Sequence, residues 1–323
     1  MTEVKKLSWW ENPVLRQVIL GTHDDGSPLS QLRGCNHLLS MIFSLLLQAW
    51  RTHIDDTKPG FARLEWGRET QYGWDPDDVP GVRIVDFPPP ETVDNEPVPF
   101  HVNMMPFVMG DIESLPPSCR RYQPLILDSL YCIQSDEMGK IGYLTIHEGW
   151  VEPNTSQRRP GLHVEAAGGQ GTHNRVLEMH WGGGSMIEQV LHGGILMAST
   201  VAHSCGIWNV VVENPRGVTG PLGDVSMLRS VLDPDIHGYV EPEANELFWI
   251  TDATPHESLP VKERCFRQYF RLVTSQVSHW FANHSTANPL GIQPAADIIH
   301  GDKFGSTVQF DTAAAPLSRL SNE

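Results

Sequence analysis

"RQYFRLVTSQVS", residues 267–278, decides how the C-terminal half of this chain is read. Successive side chains of a strand point to opposite faces. Arg267, Tyr269, Arg271 and Val273 therefore share one face, and Gln268, Phe270 and Leu272 share the other. Two arginines flanking a tyrosine are costly to bury unless they meet anions. A guanidinium holds a carboxylate through a planar, two-pronged fork. The segment thus predicts a strand with one face turned to an acidic ligand.

Working outward, short segments of the same texture recur: "KIGYLTIHEGWV" (140–151), "GILMAST" (194–200), "IWNVVVEN" (207–214) and "ELFWITD" (246–252). Gly, Pro and Asn separate them, as expected of strands joined by turns. The N-terminal third reads differently. "LLSMIFSLLLQAW" (38–50) repeats polar residues at Asn36, Ser40, Ser44 and Gln48, predicting a helix with one wet stripe and the rest buried against the sheet. On that reading Leu46→Asp unfolds the protein. "LPPSCRRYQPLILDSLYCIQ" (115–134) reads as a turn and a helix, and residues 55–100 as irregular chain around a short strand, "VRIVDF". The pattern predicts an α+β, mainly β protein: a sandwich or barrel core backed by helices. It is taken as a single domain, 1–323. Residues 1–135 form a helical and irregular part, 136–280 the β core, and 281–323 an irregular tail. No GxGxxG opens a helix, so a doubly wound nucleotide fold is not expected.

Composition narrows the function. The 323 residues carry 23 Lys+Arg against 39 Asp+Glu, a net charge of −16. That balance argues against nucleic acid and anionic membranes as partners and says nothing specific about a substrate. The oligomeric state is not readable. Cys35, Cys119, Cys132, Cys205 and Cys265 are scattered and form no CxxC pair. Reduced thiols and an N-terminus without a leader pattern predict a cytoplasmic protein. The apolar run at 38–50 is too short to span a bilayer.

The chemistry centres on "GLHVEAAGG" (161–169). At a spacing of two on a strand, His163 and Glu165 point to one side and can converge. "NELFWITDATPHESLP" (245–260) supplies a third ligand, His256, just past a strand end. Two imidazoles and a carboxylate make a facial set that suits Fe(II) and leaves positions open. Zinc hydrolases use the same ligand types.

Arg267 follows His256 by eleven residues. HxE, a distal His and then an Arg on the next strand resembles the Fe(II)/2-oxoglutarate-dependent oxygenases. The resemblance spans roughly residues 141–275, and Glu165 stands where that family more often has Asp. The wider texture, "SQRRPGLHVE" and "RQYFRLVTSQVSHWFANHST" included, is similar to nonheme iron oxygenases of fungal polyketide pathways, the citrinin type among them. The resemblance implies a double-stranded β-helix, a cupin-like jelly roll, with N-terminal helices packed on it. It implies Fe(II) on His163, Glu165 and His256, 2-oxoglutarate anchored by Arg267, and O2 as oxidant. The activity implied is hydroxylation or further oxidation of a C–H bond in a small, largely apolar molecule. Arg271 and Tyr269 could meet the substrate. Met104 and Phe107, in the Met-rich "PFHVNMMPFVMGD" (99–111), and Trp181 could line its pocket, as could Trp150 and Trp208.

Two rivals stay open: a cupin-like metal hydrolase or lyase using the same triad without a keto acid, and a non-catalytic β-sandwich binding module with HxE as a surface pair. "THNRVLEMHWGGG" (172–184) offers His173, Glu178 and His180 as competing ligands but reads as a loop. His147 and Glu148 read as a strand end and His203 as packed. "AAGGQGT" and "HWGGGS" lack the Lys of a phosphate cradle.

Overall fold

Alternation along Cys265–Val273 gives the molecule two interiors. The computed structural model of the chain describes residues 36–66, 81–133, 135–166, 180–213, 218–301 and 308–310. Within them the protein is mostly β, with few helices: α1 (Asn36–Arg51), α2 (Gln123–Tyr131) and short 3-10 turns. The strands that build the site are β1 (Phe61–Arg63), β2 (Phe100–Val108), β3 (Ile141–Val151), β4 (Ile195–Ser199), β5 (Cys205–Trp208), β6 (Tyr239–Val240), β7 (Phe248–Ile250), β8 (His256–Ser258) and β9 (Cys265–Val273). The main sheet runs β1-β7-β4-β9-β3-β2 and a smaller sheet runs β6-β5-β8. All these pairings are antiparallel. No helix among the described residues is long and apolar enough to cross a membrane.

The main sheet sorts its side chains by parity. Phe270 and Leu272 of β9, Leu196 and Ala198 of β4 and Leu144 and Ile146 of β3 enter one cluster. There they meet Tyr122, Leu125, Ile126 and Leu130 from the α2 region. Tyr269 and Val273, Ile195 and Met197, and Tyr143 enter a second cluster on the opposite face, together with Ile207 of the smaller sheet. Each such large apolar side chain contributes about 1.5–3 kcal/mol when fully buried. Gly194 makes the entry into β4 possible. It sits at φ +90°, and a Cβ there would collide with the Trp249 indole, whose Nε1 donates to the Gly193 carbonyl at 2.8 Å.

Three expectations change. The N-terminal part does more than pack on the core: β1 and β2, both before residue 135, are edge strands of the main sheet. β1 was hidden by its length of three residues, and β2 by Asn103 and Pro106 within it. The tail is not wholly irregular, since β10 (His279–Phe281), β11 (Asp297–Gly301) and β12 (Val308–Phe310) form a further sheet. Trp280, Phe281 and Ile299 from it complete the second cluster. Finally, α1 is not buried against the main sheet. Leu38, Met41 and Leu45 are exposed, Leu45 at 62%. Trp50 is buried, and Leu46 and Leu47 are partly so, in a third cluster with Leu162, Val164 and Leu228. The polar repeat at Ser40, Ser44 and Gln48 does lie on the exposed side, but that side is wider than the repeat and takes in Leu38, Met41 and Leu45.

Candidate metal centre

His163 and His256 face each other across an isolated antiparallel bridge. Each peptide N–H donates to the other residue's carbonyl at 2.9 Å. His163 is an isolated bridge residue flanked by bends, and His256 opens β8 shortly after the Asp252-Ala253 turn. The expected strand under HxE is therefore a single bridge residue. The backbone pairing brings the two rings to a centroid separation of 4.4 Å. Glu165 joins them, and the three residues offer one ligand atom each within 4.8 Å of one another. His256 Nε2 lies 3.9 Å from Glu165 Oε1.

The tautomers are set by the backbone. His163 Nδ1 faces the Gly161 carbonyl at 2.7 Å and His256 Nδ1 the Thr254 carbonyl at 2.9 Å. A carbonyl only accepts, so each Nδ1 carries the proton and each Nε2 keeps a lone pair. This is the arrangement that orients a metal-binding imidazole. Burial, reinforced for His163 by its neighbour His256, holds His163 well below the ordinary imidazole range, and burial lowers His256 too. Both rings are neutral, the form that donates to a metal.

The cluster lies in the wall of a cavity of about 300 Å³. β9 contributes Arg267, Tyr269 and Arg271 to that wall, as its phase predicts. The two arginines then part company. Arg271 donates from Nη1 to Glu165 Oε1 at 2.6 Å, so it serves the carboxylate of the cluster. Arg267 is 1% exposed. Its Nε donates to Ser199 Oγ at 2.9 Å, while among the described residues its Nη1 is buried without a partner and no acidic side chain pairs with it. Burial lowers the Arg267 guanidinium from its ordinary value. Tyr269 lies between charges: the guanidinium carbons of Arg158 and Arg267 are 5.2 and 5.5 Å from its ring centroid. Its hydroxyl, kept protonated by burial, points at Met197 Sδ. Burial also pushes the Cys205 thiol in this wall up to about 12, which removes it as a thiolate nucleophile.

Met104 and Trp181 line the cavity, as expected, and Phe107 does not. The register of β2 on β3 slips between Val102 and Met105. Met104 takes φ +48° at this bulge and turns into the second cluster. Met105 and Phe107 thereby fall on the far face, in the first cluster. A bulge of this kind re-aims side chains, and strict alternation cannot anticipate it. Trp150 is exposed beneath Arg264, and Trp208 lies in the third cluster. His147 and Glu148 sit within β3, not at its end, with Glu148 buried against Tyr122. His203 is half exposed beside Glu241 and Glu243, not packed. Of the competing ligands, His180 is exposed, 4.0 Å from Asp252, while His173 and Glu178 lie outside the described residues.

Sequence reasoning missed Arg158 and Arg159, both in the cavity wall. They stand five and four residues before His163, in loop without periodicity. Their signal was two adjacent arginines leading into HxE.

No protein-family model matches the chain, and no curated protein matches it. Among solved structures it is similar to HygX from Streptomyces hygroscopicus, solved with iron bound. The identity is 10%, over 58% of this chain and 76% of that one, with a TM-score of 0.35. A likeness that weak decides nothing about the site.

Proposed function

We propose that this protein is an Fe(II)- and 2-oxoglutarate-dependent oxygenase acting on a C–H bond of a small molecule with an apolar body. The observation that carries the reading is Arg267: a guanidinium 1% exposed, with an unpaired Nη1 and no acidic partner among the described residues, in the same cavity wall as a two-His, one-Glu cluster. Leaving a buried charge uncompensated costs several kcal/mol. An anion bound in the cavity removes that cost. A 2-oxo diacid fits both features, since its keto-acid end suits the open positions of a facial metal site and its far carboxylate suits the guanidinium fork. The main and smaller sheets on either side of the cavity support a double-stranded β-helix.

His163, Glu165 and His256 would hold the iron. The donor set fits it: two neutral imidazoles with fixed tautomers and one carboxylate. When bound, iron with a 2-oxo acid and O2 supplies the oxidising power for C–H cleavage. The chain's own residues do the rest. Arg271 orients Glu165, Ser199 and the strand backbone fix Arg267, and Tyr269 fills the wall between Arg267 and Arg158. Met104, Trp181, Met197 and Phe281 give the substrate an apolar surface and limit water.

Anaerobic titration of the Fe(II)-loaded protein with 2-oxoglutarate is the test. A weak visible charge-transfer band that saturates is expected. In Arg267→Met the apparent Kd should rise about 10- to 100-fold, the worth of a charged hydrogen-bonded pair, with iron affinity little changed. Turnover without any keto acid would transfer the site to the hydrolase or lyase reading. Absence of metal binding would leave a binding module.

A further inference from the structure

Among the described residues four guanidiniums line the cavity: Arg158, Arg159, Arg267 and Arg271. The acids among those residues do not balance them. Glu165 is engaged by Arg271. Glu257, also in the wall, is held two-pronged by Arg229 at 2.8 and 2.7 Å. A divalent cation on the His-Glu-His cluster adds positive charge, and one 2-oxoglutarate dianion offsets no more than that cation. The cavity therefore keeps a positive excess after cation and co-substrate are in place.

The excess is concentrated at Arg158. Arg159 is occupied, its Nη1 donating to the Leu222 carbonyl at 2.6 Å. No hydrogen bond or ion pair is made by the Arg158 guanidinium among the described residues; its contact is the Tyr269 ring face at 5.2 Å. A cation over an aromatic face contributes about 0.5–2 kcal/mol and leaves the charge itself unneutralised. Burial, and after it the Arg271 charge, hold this guanidinium below its ordinary value. The two residues before it hold the segment: Ser156 Oγ donates to the Arg158 carbonyl at 3.0 Å, and Gln157 Nε2 donates to the Arg267 carbonyl at 3.0 Å. The guanidinium stands next to an apolar wall, its donors unspent among the described residues.

We propose that Arg158 binds a carboxylate of the primary substrate, making this an enzyme for small carboxylic acids with an apolar body. One planar fork matches one carboxylate, and the apolar wall of Met104, Trp181, Met197 and Phe281 takes the rest of the molecule. The inference deepens the oxygenase reading and rests on it. Arg158 acts as a specificity residue that touches substrate, distinct from Arg267, which touches the co-substrate.

Benzoate and benzamide are the probes, equal in shape and different in charge. Each is titrated calorimetrically into the anaerobic Fe(II)·2-oxoglutarate protein. Benzoate should bind about 10- to 100-fold more tightly, as expected for a charged hydrogen-bonded pair. Arg158→Gln should erase that preference and leave 2-oxoglutarate affinity within about twofold, while Arg267→Gln should do the reverse. Arg158→Lys should restore part of the preference, since an ammonium keeps the charge and loses the fork. Equal affinities for the two probes, no binding of benzoate, or a preference that survives Arg158→Gln would each overturn the proposal. So would a loss of 2-oxoglutarate affinity in Arg158→Gln matching that in Arg267→Gln, which would put Arg158 in the co-substrate cradle. If the wild-type protein binds no 2-oxoglutarate, the oxygenase reading fails. The probe comparison, repeated without the keto acid, then still decides whether Arg158 selects anions.

Discussion

Arg271 Nη1 lies 2.6 Å from Glu165 Oε1, the same carboxylate oxygen that stands 3.9 Å from His256 Nε2. The guanidinium therefore belongs to the cluster and orients its acid, and it is not spare for an anionic ligand. A second partner, Thr145 Oγ1, accepts from Arg271 Nη2 at 3.4 Å and fixes the side chain from behind. Groups that orient a ligand typically contribute 10- to 100-fold to metal affinity. Arg271→Ala should weaken divalent-cation binding by about that factor, and Arg271→Lys should recover part of it. Competition with a chromogenic chelator measures this. Unchanged affinity in the alanine variant would mean Glu165 needs no such support.

Metal should report itself through stability. A cation that binds the folded state alone adds about 2.7 kcal/mol at a hundred times its Kd. Wild-type protein should show a rise in melting temperature with Fe(II) or Mn(II), reversed by a chelator. His163→Ala and His256→Ala should abolish the rise. If His256→Ala shifts as much as wild type, the ion sits elsewhere.

Acid should destabilise the protein through His147. Its ring packs edge-on against His101, centroids 4.6 Å apart, and its Nδ1 is buried without a partner among the described residues. Burial, then the His101 ring, pushes it down to about 4 from an ordinary 6.5. Between those values the unfolded chain binds a proton that the folded chain does not. Stability contributed by the neutral ring is therefore present above pH 6.5 and is lost as pH falls toward about 4. Urea unfolding midpoints should drop between pH 7.5 and 5, and His147→Gln should flatten the drop. An equal slope in that variant would assign the effect to other groups.

The first helix should tolerate a charge at one position and not a cavity at another. Leu45 is 62% exposed, so Leu45→Asp should change stability by no more than about 0.5 kcal/mol. Trp50 is 7% exposed in the third cluster, so Trp50→Ala should cost about 3–5 kcal/mol. Leu46, partly buried there, falls between them, short of the unfolding that a helix sealed against the sheet would suffer. Chemical denaturation of the three variants ranks them directly.

What the sequence showed of this site follows from what period and chemistry can encode. The strand phase of residues 267–273 placed Arg267, Tyr269 and Arg271 on one face, and all three line the cavity. His163, Glu165 and His256 were visible as ligand-type residues, and the structure brings them together. Period says nothing about partners, and it was the spacing from His256 that set Arg267 apart as a co-substrate anchor. The pairing of Arg271 with Glu165, which takes that arginine out of reach of the substrate role expected of it, was not readable. Phe107 was misplaced because it was taken together with Met104 from a Met- and Phe-rich stretch, and composition does not say which face a side chain takes; the bulge then sends the two to opposite faces. Arg158 was missed because a loop has no repeat from which to read its direction. The apolar run of α1 looked like core because hydrophobicity alone does not say how wide a face is covered.

The paired peptides of His163 and His256 carry a consequence for how the protein lives with its ion. In small zinc domains the metal is the keystone, and the chain falls apart without it. Here the two imidazoles are set opposite one another by main-chain bonds, and each ring is aimed by a carbonyl two residues before it. The berth is built before the cargo arrives. If the cluster holds an ion, as proposed, the main chain and not the ion sets the two rings, so the protein should keep its fold when the ion is withdrawn and take it up again when it is supplied.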